Sequence, residues 1–171
     1  RGRAAPALSS TAAERLEEQS RSAEGTTLTN GVRVVDVLLG DGPVPSEGQR
    51  VYIHFKFWSD RFDSGMPVDS TSFDARPLSY VLGSPTGRVF PGLDAGIRGM
   101  REKGWRRLVV PPELGYADAG LAYNRLSQKA LAPGSTLYVD VHLMDGGSGR
   151  CDQLLRVEGR KKSLSCERTK M

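Results

Sequence analysis

Cysteine is nearly missing from this 171-residue sequence: there are two, Cys151 and Cys166, both near the C-terminal end. No disulfide framework can therefore brace the body of the chain. Paired with each other, they would close a loop of about 15 residues, worth about 3 kcal/mol, and would imply an oxidising compartment. Unpaired, they are two thiols that never meet, and spacing leaves both readings open. Histidine is equally scarce, and neither His54 nor His142 stands at ligand spacing to the cysteines. That pattern does not point to a zinc site, and neither metal nor cofactor is expected. No apolar run approaches the ~18 residues that cross a bilayer, so a membrane-spanning helix is not expected.

An excess of one charge is lacking too. The formal net charge is +4, but residues 146–171 hold seven Lys/Arg against three Asp/Glu and account for all of it. The body of the chain is neutral, which argues against a nucleic-acid stripe. The tail is either a solvated basic segment or a docking tail for an acidic surface. Gly83-Ser84-Pro85-Thr86-Gly87 lacks the Lys-Ser/Thr ending of a phosphate cradle, and no serine stands in a nucleophile-elbow context.

What is present is an alternating texture around one short helix. From Val89 to Met100, Pro91 suits a first helical position, while Leu93, Ile97 and Met100 fall on one face. Gly96 and Gly99 each cost a helix about 1 kcal/mol against Ala, so a close-packed neighbour, a curved sheet, is expected there. Pro91 has no N–H, which leaves the amides of Val89 and Phe90 at the mouth of the helix beside apolar side chains.

Strands are expected over Val32–Leu39, Val51–Trp58, Leu78–Leu82, Trp105–Val110 and Thr136–Met144. Val51, Ile53, Phe55 and Phe57 share one face of the second; Leu137, Val139, Val141 and Leu143 point inward from the last. His54 falls on the opposite, wetter face, where a hydrogen-bonded histidine suffices. Arg61–Pro77 and the Ala/Gly-rich stretch after Tyr116 are expected as loops. About five antiparallel strands packed on one helix make an α+β domain over residues 29–145. Residues 1–28 form an extension with a capping box at Thr11 and Glu14 and a short helix around Ala12–Ser22 that a partner could order. Residues 146–171 form the basic tail.

The order of these segments resembles the FKBP-type peptidyl-prolyl cis-trans isomerases from about Gly31 to Asp145. The matching stretches are Gly40-Asp41-Gly42, Val51-Tyr52-Ile53-His54-Phe55, Val68-Asp69-Ser70-Thr71 and Pro77-Leu78-Ser79-Tyr80-Val81-Leu82-Gly83. They continue through Val89-Phe90-Pro91-Gly92-Leu93, Gly99-Met100, Arg106-Arg107-Leu108, Tyr116 and Thr136 to Leu143.

The resemblance implies a twisted sheet curled around the helix, with a proline site between them. By position, Asp69, Tyr116 and Phe90 would be the catalytic residues, with the Phe90 amide and the Tyr116 hydroxyl donating to the bound backbone. Phe55, Val68, Leu78, Val89, Leu93, Leu131 and Val139 would line the slot. This lining departs from the family: Phe55 replaces a Tyr, Val68 a Phe, Leu78 an aromatic wall residue, Leu93 the floor Trp and Val139 a Phe. The pocket is thinned, so turnover is expected to be slow. The segment from Tyr116 to Thr136 is longer than usual.

The implied substrates are proline-containing polypeptides. The alternative is a non-catalytic subunit or assembly factor of a photosynthetic membrane complex, engaged through residues 1–28, 117–135 and 146–171. Divergent members with reduced aromatic pockets imply a thylakoid-lumen placement, and the Ala/Ser/Arg-rich start without Met suits a trimmed import product.

Overall fold

Strand formation follows the alternation of apolar side chains, and the longest alternating runs become the centre of the sheet. A computed structural model describes residues 25–74 and 76–151. In chain order the strands are β1 (Thr26–Thr27), β2 (Arg33–Leu38), β3 (Arg50–Trp58), β4 (Asp69–Ser70), β5 (Leu78–Val81), β6 (Trp105–Val110), β7 (Leu121–Asn124), β8 (Lys129–Leu131) and β9 (Leu137–Asp145). The helix α1 spans Pro91–Ile97, and single 3₁₀ turns occupy Thr71–Phe73 and Pro112–Leu114.

One antiparallel sheet runs in the order β1-β2-β6-β9-β3-β4, with β5 also paired to β3; β7 and β8 form a separate hairpin. The five expected strands are therefore extended by short β1 and β4, and the long loop after Tyr116 contains β7 and β8. The correction has a local cause. Asn124 accepts from the Leu126 N–H at 2.8 Å and Gln128 turns with a φ of 56°, so a tight reversal pairs Leu121 with Leu131.

The inner face of the sheet carries Phe55, Phe57, Leu108, Val139 and Val141, all at 1% exposure or less, and α1 packs into it. Pro91 is at the start of α1, and Leu93, Ile97 and Met100 are buried on one side. Gly96 is small for packing: a Cβ there would stand 2.3 Å from Leu108 Cδ1. Gly92 is tighter still, at 2.2 Å from Val110 Cγ1. Gly99 has a different reason. It lies beyond the helix at a φ of +75° with open space around it, so it ends α1 rather than admitting a neighbour.

The outer face is not wet. His54 is buried and its Nδ1 lies 2.8 Å from Thr71 Oγ1. Across β3, β9 and β6 the register sets Lys56, Asp140 and Arg107 in one row, and His54, His142 and Trp105 in the next. Arg107 Nε donates to Asp140 Oδ1 at 2.7 Å and Lys56 Nζ stands 3.5 Å from its other oxygen. Phe62 folds back over this row, 4.7 Å from the Arg107 guanidinium and edge-on to Tyr138. Alternation is real in these strands, but the outer phase is also largely covered: His54, Arg107, Asp140 and His142 are buried and Lys56, Trp105 and Tyr138 half-buried.

The helix expected around Ala12–Ser22 and the tail after Cys151 lie outside the described residues. Cys151 is buried and disulfide-bonded; Cys166 lies outside the described residues.

Candidate active site

A cleft of about 300 Å³ opens where β4, the segment before α1, Tyr116 and the β7–β8 hairpin meet. Its lining includes Val68, Asp69, Phe73, Asp74, Arg88, Tyr116, Leu121 and Leu126. That volume is at the small end of ligand clefts.

Asp69 opens β4, and Tyr116 follows the 3₁₀ turn that Pro111 and Pro112 begin. The Tyr116 ring stands 5.5 Å from that of Phe90 and 5.9 Å from that of Phe57, while Phe57 and Phe90 meet edge-on at 5.8 Å. Three rings thus brace one another beside the cleft. Burial, and secondarily the charge of Asp69, push the Tyr116 hydroxyl up to about 12, so at neutral pH it is a phenol with a proton to donate.

The helix entrance divides the two expected amide donors. The Val89 N–H is taken by the Thr86 carbonyl at 3.1 Å, whereas the Phe90 N–H makes no hydrogen bond among the described residues. The Phe90 carbonyl accepts from the amides of Leu93 and Asp94, which anchors Phe90 at the first turn of α1.

Of the residues expected at the site, the cleft gathers Val68, Asp69 and Tyr116, with Phe90 against the Tyr116 ring. Phe55, Val89, Leu93, Leu131 and Val139 are buried in the core behind it, and Leu78 packs against that core half-buried. Arg88 lies over the Phe55 ring, its guanidinium carbon 5.4 Å from the centroid.

Asp69 does not stand alone. Arg88 grips it with a fork, Nε to Oδ2 at 2.8 Å and Nη2 to Oδ1 at 2.7 Å, and the Ser70 amide donates to Oδ1 at 2.7 Å. The other amino group of Arg88 bonds Asp74. Arg88, Phe73, Asp74 and the hairpin residues Leu121, Ala122, Asn124 and Leu126 were not among the residues expected from the sequence. The one signal for Arg88 was its position directly before Val89-Phe90. Among the described residues no group of three or more His, Cys, Asp or Glu side chains converges as a metal site.

Comparison with known proteins places this arrangement. A family profile described as FKBP-type peptidyl-prolyl cis-trans isomerase matches residues 42–144. The chain belongs to that family. Its FKBP domain is 36% identical over 112 residues to the chloroplastic peptidyl-prolyl cis-trans isomerase FKBP17-1 of Arabidopsis thaliana, covering 61% of this chain and 44% of the relative. It is 36% identical over 104 residues to an FK506-binding protein of Streptomyces anulatus, covering 61% of this chain and 77% of that protein.

Among solved structures, the FKBP domain is similar to AtFKBP13 at a TM-score of 0.58 and 29% identity, over 70% of this chain and 96% of that one. It is also similar to FkpA from Escherichia coli, at 0.57 and 27%, over 76% and 55%. The fold expected from the sequence, a twisted antiparallel sheet around one short helix, is the fold of these relatives. Chloroplastic FKBP proteins are among them. No helix among the described residues is long and apolar enough to cross a membrane.

Proposed function

We propose that this chain is a peptidyl-prolyl cis-trans isomerase that turns X-Pro bonds at the cleft between Asp69, Phe90 and Tyr116. The observation that carries it is a pair of unused donors, the Phe90 amide and the neutral Tyr116 hydroxyl, beside an apolar hollow. Rotation about an amide crosses a barrier of ~18–20 kcal/mol because resonance is lost in the twisted state. The twisted amide is less dipolar than the planar one. Apolar walls such as Val68 and Leu121 withdraw the water that favours the planar form, and the two donors fix the peptide carbonyls on either side. The reaction needs no proton transfer and no covalent intermediate.

Asp69, engaged on both oxygens by Arg88, serves the site by holding its wall rather than by accepting a proton. The thinned lining contacts less of the prolyl ring, and each tenfold of lost acceleration corresponds to about 1.4 kcal/mol of selective stabilisation. A non-catalytic role is not favoured, because the cleft is open and its donors are free.

A protease-free isomerisation assay on a Leu-Pro peptide tests this reading. The wild type accelerates exchange, Asp69→Ala lowers kcat/KM, and Tyr116→Phe lowers it by about tenfold through loss of one donor. Catalysis unchanged in both variants removes the site from this cleft.

The finer placement, a thylakoid lumen, and engagement of a larger complex through residues 117–135 belong to the same reading. They are supported by the relatives named chloroplastic and by the exposed Tyr123 and Leu126 on the hairpin. Immunoblotting of fractionated chloroplasts with an antibody to this chain checks the first; recovery only in the stroma overturns it. Cross-linking from Tyr123 checks the second.

A further inference from the structure

Arg88 is the single cation among the residues lining the cleft, with Asp69 and Asp74 as its anions. Its guanidinium has five N–H groups, of which Nε and Nη2 bond Asp69 and Nη1 bonds Asp74. One N–H on each terminal nitrogen is left over, and the side chain is 33% exposed at the cleft wall. The same residue stands two positions before Phe90, whose amide is the free donor at the helix mouth. Placed over the Phe55 ring and forked onto Asp69, it ties β3, β4 and the entrance of α1 together.

Resting on the isomerase reading above, we propose that Arg88 is the positioning and specificity-determining residue of this cleft. Its fork holds Asp69 and the Phe90 amide in one arrangement, and its charge offsets the two carboxylates so that an acidic residue beside the substrate proline is tolerated. Without Arg88, Asp69 and Asp74 face the bound peptide uncompensated. A unit charge at about 4 Å in water is worth about fivefold in binding, and the sign runs against Glu and toward Lys at the position before proline.

The test compares kcat/KM of the full chain on Glu-Pro, Leu-Pro and Lys-Pro peptides for the wild type, Arg88→Gln and Arg88→Lys, with thermal unfolding of each protein. Arg88→Gln is expected to lower the Glu-Pro to Lys-Pro ratio by about 25-fold, about fivefold from each peptide, and to reduce turnover on the Leu-Pro peptide. Arg88→Lys is expected to restore the ratio but not the full rate, because an ammonium supplies the charge without the planar fork. A structural prop alone would move the three peptides together and leave the ratio unchanged. An unchanged ratio in a folded Gln variant therefore overturns the proposal while the isomerase reading stands.

A wild type that turns over no peptide overturns the isomerase reading instead. The same Glu/Lys preference, read as peptide Kd by NMR titration, then decides the role of Arg88. Should the Gln variant fail to fold, the Lys variant decides it: a Glu/Lys ratio held with turnover lowered supports the fork, and turnover equal to wild type refutes it.

Discussion

The two faces of the central strands β3, β6 and β9 are both largely covered, by opposite chemistry. Inside, Phe57, Val139 and Leu108 meet across the register as an apolar layer; outside, one residue along each strand, Lys56, Asp140 and Arg107 meet as a row of charges. The apolar layer draws its stability from area removed from water and tolerates imperfect partners. The charged row has no such tolerance. Burial pushes the Asp140 carboxyl up, against the pull of Arg107 and Lys56, so the carboxylate is kept only while its cations are in place. The inner face therefore seats α1 against the sheet, and the outer face limits how the three central strands can shift.

Removing the shared anion breaks this comparison most severely. Asp140→Ala takes away the buried anion shared by Arg107 and Lys56, and leaves Arg107, whose side chain is 8% exposed, with only the exposed Asp63 as its anion. A loss of about 3–5 kcal/mol is expected in urea unfolding. Leu108→Ala on the inner face, a plain cavity, is expected to cost about 2–5 kcal/mol. A much smaller loss for Asp140→Ala would show that the row is solvated.

Acid should discriminate the faces next. Burial, then the charges of His54 and Lys56, lower the pKa of His142 from 6.5 to about 4, and Trp105 stacks on its ring at 5.1 Å. With the folded pKa below the unfolded one, the unfolded chain binds the proton first as pH falls. Stability is thus full above about 6.5 and is lost as pH falls toward about 4, by at most about 3 kcal/mol. His142→Phe should flatten that part of the urea midpoint against pH; an unaltered slope assigns it to other groups.

A Cβ at Gly96 sharpens the contrast from the apolar side. Its contact at 2.3 Å with Leu108 predicts that Gly96→Ala destabilises by about 1–3 kcal/mol despite the better helix propensity of Ala. Stabilisation would mean that Leu108 can turn aside. At the small end, Arg98 bridges Glu47 and Asp94 on the exposed side of α1, and Glu47→Gln should leave the unfolding midpoint unchanged within error.

How much was legible follows from where each signal resides in the chain. The inner face could be read because Val51, Ile53, Phe55 and Phe57 repeat every second residue, and α1 because Pro91 and its apolar stripe fall within one short window. The outer face misled because His54, Lys56 and Trp58 look solvent-facing from sequence. Contacts from distant segments cover them: Thr71 on His54, the Gly65 carbonyl and Phe62 on Trp58, and Asp140 across the register from Lys56. The β7–β8 hairpin escaped because Leu121, Tyr123, Leu126 and Leu131 keep no even period across its turn and no Gly or Pro marks the reversal.

Asp69 and Tyr116 entered through position in a known pattern, whereas Arg88 could not. It meets Asp69 across 19 residues, and an ion pair at that separation leaves no periodic trace in the sequence. Sequence reading therefore reaches the elements that build the cleft more readily than the charge balance inside it.

Whether the cleft beside Phe90 and Tyr116 turns prolyl bonds, as proposed above, can be observed on the peptide itself. Two-dimensional exchange NMR on a Leu-Pro peptide, with the full chain at a small fraction of the peptide concentration, measures this directly. Cross-peaks between cis and trans peptide signals should grow with added wild type, and substoichiometric Tyr116→Phe should produce them more weakly. Cis and trans signals that exchange no faster with folded protein than without it would contradict the account.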